Sequence, residues 1–113
     1  MSIRLEVADT VLVRVKGLGP VGESGAREPF DFSLICDRMD GDEYREVSKD
    51  DERTITDVLV EKTKGWTHVL TADGQPVPFS AAGLRQLLRP LGRPGLVWIA
   101  YLEACGSKGK EKN

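Results

Sequence analysis

Apolar residues at Ile3, Leu5 and Val7, and again at Val11, Val13 and Val15, alternate with Arg4, Glu6, Arg14 and Lys16. A period of two marks strands with one buried face, and Ala8-Asp9-Thr10 between the two runs reads as a turn or bulge. The alternation returns at Phe30, Phe32, Leu34 and Cys36. Pairing residues 11–17 antiparallel with residues 30–37 covers both apolar faces at once. The connection between them, GLGPVGESGAREP from Gly17 to Pro29, is rich in glycine and reads as a long mobile loop.

The period then changes. Between Met39 and Arg53 the chain is strongly charged, and Tyr44 with Val47 supports only a turn or two of surface helix. Thr54-Ile55-Thr56-Asp57 is a helix start of the Ser/Thr-x-x-acid kind, and Ile55, Val58, Leu59 and Lys62 follow at helical spacing, with Gly65 as the expected stop. Trp66 to Leu70 reads as a short strand and Ala72-Asp73-Gly74 as a turn. Pro76 and Pro78 lack the N–H that a ladder needs, so QPVPF is an edge strand or extended arm. Ser80 suits a helix N-cap ahead of the Leu84, Leu87, Leu88 and Leu91 stripe, and Arg89-Pro90 ends or bends that helix. Pro94 opens a last helix that runs to Cys105.

The fold expected is therefore α+β: a small N-terminal antiparallel sheet, built as a hairpin with a long loop, followed by a helical C-terminal half. One domain spans residues 1–105, and the polar tail, residues 106–113, offers nothing apolar to offset the cost of ordering it. The chain has 113 residues, 40% of them apolar, which is enough for one modest core. A net charge of −2 favours neither nucleic acid nor a membrane surface as partner. No apolar run approaches the roughly 18 residues of a membrane helix, and the first ten residues have no signal-peptide core, so a cytoplasmic location is expected.

Candidate chemistry is sparse. Gly17-x-Gly19-x-x-Gly22 follows a strand, as a dinucleotide fingerprint does, but no apolar helix pattern comes after it to hold a pyrophosphate. His68, beside Trp66 and near Asp73, lacks an orienting partner for acid–base work and reads as a solvent-facing strand residue. Cys36 and Cys105 form no CxxC pair and read as small buried hydrophobes. The acidic residues from Asp40 to Glu52 lack calcium-loop spacing and form a solvated face. No catalytic, cofactor-binding or metal-binding residue is assigned, and the chain is not expected to be an enzyme.

One segment is unusually apolar. From Pro94 to Cys105, Glu103 is the only charge. On a helical wheel Val97, Ala100, Tyr101 and Ala104 share one stripe, and Trp98, Leu102 and Cys105 share its neighbour. Leu96, Ile99 and Glu103 extend around the remainder. Such a helix is either enclosed by its own domain or completed by another protein. In the second case Leu96, Trp98, Ile99, Leu102 and Cys105 are the contact residues, with Trp98 as an anchor.

The block from Gly65 to Ser80, GWTHVLTADGQPVPFS, and the AAGLRQLL that follows resemble the signature of tail assembly chaperones of long-tailed bacteriophages and prophages. The likeness runs from about Thr54 to Ala104 and includes the YLEA ending at Tyr101 to Ala104. It implies a non-enzymatic protein in the host bacterial cytoplasm that binds the tape measure protein and keeps it soluble while the tail forms. The tail tube protein is a further partner implied by that role. A virion structural protein, such as a tail completion or tube-associated subunit, is the alternative. Gly17 to Pro29 has no counterpart in the resemblance.

Overall fold

The computed structural model describes residues 2–109. Two strands, β1 (Thr10–Val21) and β2 (Arg27–Asp37), form an antiparallel hairpin, and β3 (Thr63–Thr67) adds to the far side of β2. Among the described residues four helices complete the α+β fold: α1 (Gly41–Lys49), α2 (Ile55–Lys62), α3 (Ala81–Leu87) and α4 (Arg93–Cys105). The expected pairing of 11–17 with 30–37 is present, from Val11 opposite Cys36 to Gly17 opposite Phe30. Val13 and Val15 on β1, with Phe32, Leu34 and Cys36 on β2, turn inward because alternate side chains share a face. They pack with Val58, Leu59, Leu84, Leu88, Val97 and Tyr101 from the helices into one core.

The span from Gly17 to Pro29 differs from the expected long loop. Both strands continue through it, and only Gly22 to Ala26 turns. Gly22 N–H donates to Ala26 O at 2.9 Å, Gly25 N–H donates to Gly22 O at 2.9 Å, and Gly25 takes the left-handed φ of 83° that closes the turn. Glycine and proline content pointed to a loop, yet ladder bonds form wherever a neighbouring strand stands in register. The pairing shifts between Leu18 and Val21, where Pro20 interrupts the pattern.

The Ile3, Leu5 and Val7 run also departs from expectation. It forms no strand in the described chain, and Ile3 and Leu5 are 95% and 99% exposed. Alternation supplied the face of a strand, but no neighbouring edge lies beside it. Arg38 fixes the start of β1 by donating its N–H to Asp9 O at 2.8 Å and its Nε–H to Ala8 O at 3.0 Å.

Helix α2 starts as read: Thr54 and Asp57 exchange side-chain to backbone bonds at 3.1 Å in both directions. The Asp57 carboxyl is held below its usual range by the Thr54 N–H first and the Arg85 guanidinium next. The helix ends at Lys62, not at Gly65, and β3 begins at once. Glycine lies inside that strand, opposite Ile35, since a β-strand tolerates it when a neighbouring side chain fills the gap. The strand expected from Trp66 to Leu70 is shifted earlier: His68 adopts a φ of 65° that ends it, and Leu70 makes only an isolated bridge to Pro76. α1 is a surface helix with no buried residue, as its charge predicts. Ser80 caps α3 through Gly83 N–H at 2.9 Å, and Pro94 lies in the first turn of α4.

Candidate functional site

The GWTHVLTADGQPVPFS block folds into a structural clamp. Trp66 Nε1–H donates to Val77 O at 2.7 Å, and its ring meets Phe79 edge-on with centroids 5.2 Å apart. Gly83 lets the indole approach the start of α3, because a Cβ there would stand 3.0 Å from the ring. Gly74, with a φ of 81°, turns the chain between Leu70 and Pro76. Trp66, Gly74, Phe79 and Ser80 thus close the connection between β3 and α3. His68 is exposed just past the end of β3.

Gly17, the first glycine of the fingerprint-like motif, is a packing glycine. A Cβ there would stand 2.6 Å from the Phe30 ring and 2.9 Å from Leu96 Cδ2. Gly17 and Gly19 are in a β-strand and Gly22 is in the hairpin turn, so no helix N-terminus faces them. Among the described residues no group of three or more His, Cys, Asp or Glu side chains converges for a metal. Cys36 is fully buried, and burial pushes its thiol up to about 11. Cys105 is half-buried, and its sulfur accepts the Met39 N–H at 3.4 Å.

α4 divides as the wheel predicts. Val97 and Tyr101 are buried, and the Tyr101 hydroxyl donates to Asp37 O at 2.7 Å. Burial also raises the Tyr101 phenol above its ordinary value. With Leu96 beside Gly17 and Tyr101 beside Asp37, the helix runs antiparallel to β1 across the hairpin. Trp98, Leu102 and Cys105 are half-buried on one flank, where Trp98 stacks at 5.8 Å on Tyr101. Leu96 and Ile99 stand out on the other side, 39% and 60% exposed.

The five proposed contact residues therefore do not share one open patch. Leu102 and Cys105 line a hollow of about 390 Å³ with Met39 and Tyr44. Leu96 borders a groove of about 540 Å³ between the far end of the hairpin and the turn into α4, lined by Leu18, Val21, Phe30 and Leu91. Arg93 covers one side of it, its guanidinium 4.8 Å from the Phe30 ring centroid. Leu18, Val21 and Leu91 are exposed apolar residues that the wheel argument did not find. Leu91 lies in the turn directly before α4, whereas Leu18 and Val21 join the site only because the hairpin extends past Gly17, and no local signal placed those two near α4. No family model matches the sequence, and no curated protein or solved structure is significantly similar to it.

Proposed function

We propose that this protein is a phage tail assembly chaperone that binds apolar helical segments of the tape measure protein. The observation that carries the reading is the apolar strip on α4, with Leu96 and Ile99 one turn apart, exposed, and continuous with the groove at the hairpin end. An amphipathic helix of a partner anchors through residues at comparable spacing, and a rigid helix lying on a sheet presents such a strip at little entropic cost. The likeness of Gly65 to Ser80 to the chaperone signature supplies the partner. The clamp it forms holds β3 against α3, and the core beneath holds α4. Leu102 and Cys105, with half-buried Trp98 on the same flank, form a second contact on the opposite side.

The test is binding of labelled helical peptides from the tape measure protein of a long-tailed phage. Ile99→Ser and Leu96→Ser each remove most of an apolar contact of about 1.5–3 kcal/mol, so affinity falls roughly tenfold or more. Ile99→Ser leaves the melting midpoint near that of the parent because its side chain is 60% exposed, whereas Leu96→Ser lowers it modestly because Leu96 also packs over Gly17. Unchanged peptide affinity in the double variant refutes the reading.

A further inference from the structure

The segment before β1 has the pattern of a strand and no strand beside it. Ile3, Leu5 and Val7 alternate with Arg4 and Glu6, and all three apolar side chains are exposed. The arm does not pair with its own sheet, whose pairing begins at Thr10. Arg38 holds Ala8 and Asp9 in line with β1, which sends the chain onward from the sheet. β1 itself is an edge strand among the described residues, with β2 as its neighbour in the order β1-β2-β3.

We propose that the arm of a second copy of this chain pairs with the open edge of β1, reciprocally, to form a twofold dimer with a continuous sheet. Asp9 O takes its bond from Arg38, so by antiparallel alternation the odd residues of β1 bond to β2. Leu12, Arg14, Lys16 and Leu18 then turn their N–H and C=O groups to the open edge. Pro20 has no N–H to offer and ends that edge near the hairpin turn.

Charge sets the register. Lys16 stands across the ladder from Asp31, whose carboxylate bonds to Arg14 at 3.0 Å, and neither Lys16 nor Glu6 makes an ion pair of its own among the described residues. Placing Glu6 opposite Lys16 joins them on the open face of the sheet. The same register sets Leu5 beside Gly17 and Ile3 beside Gly19, two positions without side chains, on the face where α4 lies. Leu96 sits over Gly17 and closes on the incoming Leu5. The space above Gly17 is already filled by Phe30 and Leu96, whereas Gly19 has only the Glu28 backbone oxygen 3.4 Å from where a Cβ would stand and so leaves width for the incoming Ile3. Strand addition of this kind draws affinity from backbone bonds and specificity from alternate side-chain pockets.

Sedimentation of the purified chain alone, from micromolar to near-millimolar concentration, tests this without any other protein, so its outcome is separate from that of the chaperone reading. The expected result is a reversible dimer. Leu5→Asp weakens it at least about tenfold while leaving the melting curve of the dilute protein unchanged. Glu6→Lys weakens it about two- to fivefold, and adding Lys16→Glu restores the parent constant, as a direct charge pair requires. A chain that is monomeric throughout, a dimer indifferent to Leu5→Asp, or a charge swap without recovery overturns the proposal.

Discussion

At the scale of single residues, burial governs chemistry more than residue type does. Cys36 has the nucleophilic sulfur of any cysteine, but it lies against Thr63 in the core, and burial raises its thiol from 9.0 to about 11. The folded chain keeps the proton that the unfolded chain releases. Stability is therefore fully retained below pH 9.0 and declines as pH rises from there through about 11. Tyr101 is shifted in the same direction, so its loss begins higher, above its ordinary value of 10.0. Denaturant melts across this range should show an earlier onset of loss in the parent than in Cys36→Ala. Equal onsets would mean that Cys36 titrates alike in both states. Thiol labelling at neutral pH should likewise modify Cys105 well before Cys36.

At the scale of elements, the hairpin and α4 are built as one unit, and Gly17 is where they touch. The outward strip of α4 sits over β1 only because Gly17 leaves room for Phe30 and Leu96 together. Gly17→Ala forces one of those rings or chains to move, at a cost of about 1–3 kcal/mol in chemical denaturation. A neutral result would show that Leu96 is free to swing away. Capping fixes where α2 and α3 begin, and these starts were legible because Thr54, Asp57 and Ser80 act on backbone groups only three residues away. Strand ends were less legible. β3 stops at Thr67 because His68 turns to a positive φ, a conformation no neighbouring residue type announced.

At the scale of the whole molecule, stability is unevenly spread. α4, α2 and the centre of β2 share the core, whereas α1 buries no residue completely. It is held by the Asp40 cap, by half-buried Val47 and by an ion pair from Glu43 to Lys62. Hydrogen exchange should accordingly find α1 the first helix to open, with protection well below that of α4 and β2. Equal protection would place α1 in the cooperative core. Of the tail expected to be disordered, Ser107 to Gly109 carry no regular structure, and residues 110–113 lie outside the described part.

By itself the sequence determined the elements whose signals are local. The alternation at Val13, Val15, Phe32, Leu34 and Cys36 named the buried sheet face, and the wheel of α4 separated Val97 and Tyr101 from Leu96 and Ile99. Those signals arise within one strand or a few helical turns, where side-chain direction follows from backbone period alone. Tertiary structure decided what each face meets. The same alternation makes Val13 core and leaves Leu5 in solvent, because one has β2 and α4 beside it and the other has neither. The glycine-rich span became a hairpin for the converse reason: backbone groups pair with whatever strand is in register, and register belongs to two segments at once. The groove beside Leu96 likewise draws on the hairpin end and on the turn into α4, about seventy residues apart, so no reading along the chain contained it.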